Sequence, residues 1–392
     1  MTIIEGFVAR GYEDVVVALQ DNFAARGETG ASFTAMVHGR LVVDVWGGVV
    51  DDTGRPWERD TVACIFSGSK GLVATCMAIL IDRGLLDPDR PVASYWPEFA
   101  AKGKGGVLVR HVLSHRSGLP GLTTPVTVLE AMDDRRMATL LAAQRPQTPI
   151  GEWRAYHALT FGWMCGELVR RTTGLSIGEF FEREISGPLG IDAWIGIPPN
   201  QVGRVATLAS AAPLVPMATG ERDLAWSIQR NPPRFDADAI AANDPLWLMS
   251  EVPATNAVAG SSGLARMYAC LANGGELGGV RLMSAATLET VGREQTRGID
   301  YVSGTPMSFG LGYQLQAGEQ ALGPELDAFG HPGAGGSVHG AWPSLNTGFS
   351  YVTRQLTASA TGGARSSSVL AALHRAVELN ANSVPDTVKL VP

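Results

Sequence analysis

The sequence predicts an α/β (α+β) protein whose sheet is assembled from both ends of the chain, with a helical insertion packed against it. Three observations carry this. A helix and hairpin pattern fills residues 12–46, strand patterns and a helix return over 309–379, and the stretch between is rich in helix candidates and poor in strand signals. The division that follows is a discontinuous sheet domain of residues 1–86 and 254–392 and a mainly helical domain of 87–253 with long loops.

Residues 12–25 space their apolar groups as an amphipathic helix does. Ser32–Val37 and Leu41–Trp46 are rich in β-branched and aromatic residues, and His38-Gly39-Arg40 between them reads as a hairpin turn. The run Thr61–Phe66 is short enough for a buried strand, and a helix from Lys70 to Arg83 follows it, ended by Gly84. Helix candidates then cover Val126–Gln144, Leu159–Thr172 and Ile177–Glu184, while Pro198–Pro216 and Asn231–Pro245 read as loops over a site. Phe309–Leu315, Ser337–Trp342 and Phe349–Thr353 read as strands, the last two pairing around Pro343-Ser344-Leu345-Asn346, and a closing helix runs from Ser367 to Leu379.

Composition narrows the function classes. With 45% hydrophobic and 18% charged residues the chain is an ordinary globular protein. Its net charge of −7, without a basic block, excludes a nucleic-acid partner. The four cysteines, Cys64, Cys76, Cys165 and Cys270, are scattered in apolar segments with no C-x-x-C pair, as expected of buried thiols in a reducing compartment. The start, Met1-Thr2-Ile3-Ile4-Glu5-Gly6, lacks the pattern of a secretory signal. Gly71–Ile81, the longest apolar helix candidate, falls short of the ~20 residues that span a bilayer. A cytoplasmic protein with no membrane partner is the expectation.

Ser67-x-x-Lys70 is the sharpest chemical signal. A serine hydroxyl needs a base within hydrogen-bond reach to attack at neutral pH. At the first turn of a helix, positions i and i+3 share a face, so the Lys70 amine can lie beside the Ser67 hydroxyl. Backbone N–H groups at the helix start can also donate to an oxyanion. The same four residues also fit a serine N-cap with a solvated lysine one turn on. Tyr156 follows Pro149-Ile150-Gly151-Glu152-Trp153 and precedes a helix; beside a lysine its phenol could shuttle the serine proton, and by itself it also fits a buried tyrosine bonded to backbone. Gly330-His331-Pro332-Gly333-Ala334-Gly335-Gly336 leads into a strand, which disfavours a phosphate cradle and suits close backbone approach to a ligand.

Together these pieces resemble the family VIII carboxylesterases, which share a fold with class C β-lactamases and penicillin-binding proteins. Leu113-Ser114-His115-Arg116-Ser117-Gly118-Leu119, Pro188-Leu189-Gly190-Ile191 and Tyr156-His157-Ala158-Leu159-Thr160 add to the resemblance, which covers residues 30–380 in order. It implies an antiparallel sheet flanked by helices plus a helical domain, with the active site between them. It also implies Ser67 as nucleophile, Lys70 as its proton acceptor, and Tyr156 as general base and acid. His331-Pro332-Gly333 would hold the third motif on a wall strand, with His331, Gly333 and Ala334 lining the substrate and the backbone N–H groups of Ser67 and Ala334 forming the oxyanion hole. No cofactor or metal is implied, and the partner is a small-molecule ester.

Two departures from the β-lactamase pattern bear on substrate. Ala158 stands where those enzymes carry an asparagine, and His331 where they carry a lysine, so both lactam anchors are weakened. A β-lactamase or D-amino-peptide hydrolase, an acyltransferase, and a non-catalytic penicillin-binding-like protein stay open beside the esterase reading. Trp226 and Trp247, in the long central loops, are candidate pocket residues. His111 and His115 are four apart but lack H-E-x-x-H and a third ligand, so no metal is expected; His115 is expected to tie the next loop to backbone carbonyls. No G-x-S-x-G occurs, which removes the nucleophile elbow of an α/β-hydrolase.

Overall fold

The computed structural model describes residues 2–210, 222–233, 235–236, 239–301, 303–317, 320–357, 363–381 and 387–390 of the chain. Among these, one antiparallel sheet of ten strands dominates. In chain order its strands are β1 (Ile4–Ala9), β2 (Gly30–Val37), β3 (Arg40–Gly48), β4 (Thr296–Ile299), β5 (Pro306–Phe309), β6 (Gln314–Leu315), β7 (Phe329–Pro332), β8 (Val338–Trp342), β9 (Thr347–Thr353) and β10 (Thr387–Leu390). Their order across the sheet is β4-β5-β6-β7-β8-β9-β2-β3-β1-β10. The seam between the two ends of the chain is the β9–β2 pairing, with Thr347 opposite Val37 and Thr353 opposite Ala31.

Helices cover both faces. On one side α1 (Glu13–Ala25) and α5 (Ala364–Leu379) bury Val15, Leu19, Leu370 and Leu373 against Phe33, Val43, Val45, Phe349 and Tyr351. On the other side α2 (Ser69–Asp82) and α4 (Ser261–Ala272) join the larger core. Strand β2 is therefore buried on both faces: Phe33 and Ala35 enter the first core, while the Thr34 hydroxyl meets Ser261 Oγ of α4 at 2.8 Å. Helix α2 is buried almost all round, including Leu72, Val73, Cys76, Met77 and Leu80, which suits a segment apolar on every side. Each fully buried aliphatic side chain of this kind contributes about 1.5–3 kcal/mol, so α2 is a firm base for what sits at its start. The helix α3 (Thr160–Thr173) of the central region packs beside it.

Three elements differ from the sequence expectation. Of Thr61–Phe66 only Ala63–Cys64 is a strand, and it belongs to a separate small sheet with Val258–Ala259 and Ala193–Trp194. The chain turns away at Phe66, leaving no length to extend the pairing. Val126–Gln144 divides into Val128–Ala131 and Asp134–Ala143, because the Asp133 side chain caps a new start by accepting from the Arg136 N–H. Phe309–Leu315 folds back on itself at Gly310-Leu311-Gly312, so its ends fall in two antiparallel strands, β5 and β6. The loop Pro198–Pro216 is described only as far as Ser210; its remainder, with positions 234, 237 and 238 of Asn231–Pro245, lies outside the described residues. No helix among the described residues is long and apolar enough to cross a membrane.

Candidate active site

Ser67 occupies a 3-10 turn, Phe66–Gly68, that runs directly into α2. Phe66 adopts φ 45°, a left-handed conformation that costs a non-glycine residue roughly 1–2 kcal/mol. Three bonds hold the turn against that cost. The Ile65 N–H donates to Ala257 O at 3.0 Å, the Ala257 N–H donates to Ser69 Oγ at 3.0 Å, and the Ser69 hydroxyl donates to Phe66 O at 2.5 Å.

Lys70 is fully buried on the first turn of α2, with Nζ 3.3 Å from Ser67 Oγ. Nζ also donates to Ala158 O and Ala254 O, both at 2.9 Å. Two carbonyls thus accept from Nζ, which also lies within reach of the serine oxygen. An ammonium would offer a proton there and a neutral amine a lone pair, so a proton can pass between Lys70 and Ser67.

Tyr156 also reaches the serine, its hydroxyl 3.0 Å from Ser67 Oγ. It lies in an irregular segment, and neighbours fix three successive N–H groups there. Ala155 N donates to His115 O at 3.2 Å, Tyr156 N to Asp300 Oδ2 at 2.8 Å, and His157 N to His115 Nδ1 at 3.1 Å. The Tyr156 ring is walled by His115, with centroids 4.9 Å apart, and by Phe309 of β5, stacked at 6.2 Å.

His331 lies on β7 itself, with Nε2 3.5 Å from the Tyr156 hydroxyl. Its Nδ1–H donates to Pro332 O at 2.8 Å, which leaves Nε2 as an acceptor. Burial, with the nearby Lys70 adding to it, pushes the His331 pKa down to about 3, so the ring is neutral. The turn after β7 comes close to the nucleophile's own strand. A Cβ on Gly333 would stand 2.3 Å from both Ile65 O and Ser337 Oγ, so only glycine lets the two backbones meet here. Ala334 follows at once, half-buried.

The histidines behind Tyr156 form a buried group. His157 donates through Nδ1 to Ala155 O at 2.5 Å and accepts at Nε2 from the Ser117 hydroxyl at 2.7 Å; burial lowers its pKa to about 4. His115 binds a backbone N–H through Nδ1 and not a carbonyl, against the sequence expectation, because the chain at 155–157 presents its amides to it. The candidate pocket tryptophans part company. Trp247 is 3% exposed inside the main core, so it lines no open pocket. Trp226 is 38% exposed on the helix whose Leu224 and Ile228 pack with Ala155 and Ala158, beside Tyr156. Among the described residues no cluster of three His, Cys, Asp or Glu could hold a metal ion.

Asp300 is the contact that sequence reading misses. An aspartate in a polar turn is an ordinary sight, and its 144-residue separation from Tyr156 leaves no local pattern.

This geometry has clear relatives. The family model described as Beta-lactamase matches residues 16–373. An esterase/beta-lactamase, LipL, of Mycobacterium tuberculosis is 36% identical over 357 residues, covering 87% of this chain and 81% of that protein. A crystal structure of a family VIII carboxylesterase superposes with a TM-score of 0.90 at 36% identity, covering 95% of this chain and all of that one. A penicillin-binding protein homologue from Caulobacter crescentus gives a TM-score of 0.89 at 34% identity over 95% of this chain and 100% of its own. A motif constellation, a fold and a sequence match that run almost end to end agree, and the chain belongs to the beta-lactamase family.

Proposed function

We propose that the protein is a carboxylesterase that hydrolyses short-chain or aryl esters through an acyl-enzyme on Ser67. The observation that carries this is the convergence of Tyr156 Oη, at 3.0 Å, and Lys70 Nζ, at 3.3 Å, on one serine oxygen beside the Gly333 turn. Similarity to an esterase/beta-lactamase and to a family VIII carboxylesterase supports the ester as substrate class.

Ser67 Oγ attacks the ester carbonyl while its proton passes to the Lys70–Tyr156 pair, which titrates as a unit. The backbone N–H groups of Ser67 and Ala334 receive the oxyanion. The C–O bond to the alcohol then breaks, and the alcohol leaves with a proton from Tyr156. Water repeats the sequence in reverse, releasing the acid and restoring the Ser67 hydroxyl. His331, Gly333 and Ala334 form the wall beside the substrate, with Trp226 at its rim.

Two features favour an ester over a lactam. His331 is uncharged, and position 158 offers a methyl group while its carbonyl is committed to Lys70. Losing one charge-assisted hydrogen bond costs on the order of 1.5–3 kcal/mol, roughly ten- to a hundredfold in rate or affinity. The test is kcat/KM for p-nitrophenyl acetate against that for a penicillin on one preparation. A penicillin value equal to or above the ester value replaces the esterase reading with a β-lactamase. The four buried unpaired cysteines support a reducing, cytoplasmic location.

A further inference from the structure

We infer that Asp300, at the tip of the β4–β5 hairpin, is the positioning residue that sets Tyr156 against Ser67. The inference rests on the reading of Tyr156 as base and acid given above.

Asp300 is 1% exposed, an unusual place for a carboxylate at a hairpin tip. Its two oxygens divide their work. Oδ1 accepts from Ser303 N at 2.8 Å and from Ser303 Oγ at 3.1 Å, which rounds off the hairpin turn. Oδ2 accepts from the Tyr156 N–H at 2.8 Å. In all of these bonds the carboxylate oxygens accept. A neutral turn-former would serve the first oxygen's task equally well; the second oxygen's task concerns the active site.

The hairpin grips the Tyr156 segment at more than this point. The Tyr301 N–H donates to Arg154 O at 2.8 Å, and the Tyr301 ring packs on Trp153 with centroids 4.3 Å apart. Met307 and Phe309 of β5 pack against the Tyr156 ring itself. Residues 152–158 have no helix or strand of their own to hold them, so the place of the Tyr156 hydroxyl depends on such outside contacts. Asp300 is bonded directly to that residue's amide, and a shift there moves the hydroxyl relative to Ser67. A displacement of about 1 Å at a reacting group can cost on the order of a hundredfold in rate.

The experiment is kcat and KM for p-nitrophenyl acetate in wild type, Asp300→Ala, Asp300→Asn, Tyr156→Phe and both Asp300 variants combined with Tyr156→Phe. Asp300→Ala is expected to lower kcat roughly 30- to 300-fold with KM changed less than about threefold. Asp300→Asn keeps an acceptor oxygen and is expected to lose about five- to tenfold. In the Tyr156→Phe background either change is expected to cost less than about threefold, since the hydroxyl it acts through is gone. A merely structural aspartate would cost the same factor in both backgrounds, and that result overturns the proposal. So does an Asp300→Ala enzyme with kcat within about threefold of wild type. If Asp300→Ala does not fold, Asp300→Asn decides by the same comparison. A Tyr156→Phe enzyme with wild-type kcat sinks the reading of Tyr156, and this proposal with it, whatever the Asp300 variants do alone.

Discussion

Lys70 Nζ stands over the ring of Tyr156, 4.8 Å from its centroid, and the two side chains end on the same serine oxygen. A cation so placed is attracted by the ring's face, and its proton can be exchanged through Ser67 with the phenol at the ring's tip. Removing either group therefore changes the other's environment as well as its own contribution.

Lys70→Ala and Tyr156→Phe are each expected to lower kcat by about two to four orders of magnitude. The double variant should be little worse than the poorer single, because residues acting as one unit do not lose activity twice. Steady-state kinetics on the four proteins checks this. Fully multiplicative losses would mean that the two act independently.

Ser67→Ala should lower kcat by about three orders of magnitude or more while the melting temperature stays close to wild type. Ser67 is only partly buried and α2 is held by its apolar core, so little stability depends on the hydroxyl. Intact-protein mass after an active-serine phosphonate should show one adduct on wild type and none on the variant. Labelling of the variant would place the nucleophile elsewhere.

How much of this was legible in sequence follows from how local each relation is. Ser67 and Lys70 meet because i and i+3 share a helix face, and the hairpin of Ser32–Trp46 pairs because its turn is short. The order of the large sheet is a different matter. The β9–β2 seam joins residues more than three hundred positions apart, and no periodicity within either strand says which neighbour it takes. The family resemblance implied an antiparallel sheet flanked by helices, and the strand order with its seam came only with the structure. Trp247 reads as a loop residue free to line a pocket, yet the segment around it is tied down by Asn256, whose amide donates to Trp247 O at 2.6 Å. Asp300 was out of reach for the same reason as the sheet order: its partner is distant in sequence.

Helix α2 offers a test of packing beside the nucleophile. A Cβ on Gly71 would stand 2.0 Å from the Tyr268 hydroxyl, a buried group with no hydrogen-bond partner among the described residues. Gly71→Ala should therefore destabilise the protein by about 1–3 kcal/mol despite alanine's better helix propensity. Tyr268→Phe removes the obstructing oxygen and an unsatisfied polar group, so alone it should be neutral or stabilising. Added to Gly71→Ala it should restore most of the loss, as urea melts of the four proteins would show. Additive losses would mean that the Tyr268 oxygen is not what Gly71 avoids.

The buried histidines set the acid limit of the fold. His331 and His339 are held down to about 3 and His157 to about 4, in each case chiefly by burial. In the unfolded chain each would titrate near its ordinary value of about 6.5. Between the folded and unfolded values the unfolded state binds more protons, so stability falls as pH falls from about 6.5 towards about 4. Each such group contributes up to about 1.4 kcal/mol per pH unit within that window. Melting temperature should therefore drop between pH 7 and pH 5, above the range where most carboxylates titrate. His339→Asn should flatten that slope by about one proton; His339 sits on β8 with its ring against Gly68 and Nδ1 bonded to Ser350 Oγ at 2.7 Å. The kinetic counterpart concerns His331. If its ring stays neutral in the folded enzyme, the acid limb of kcat/KM for an ester contains no imidazole contribution near pH 6.5, and His331→Gln leaves the position of that limb unchanged. An acid limb with an apparent pKa near the ordinary imidazole value that vanishes in His331→Gln would show that His331 gains a proton in the native site. The charged anchor for a carboxylate-bearing substrate would then exist after all at mildly acidic pH, and penicillin turnover should rise there in step with it.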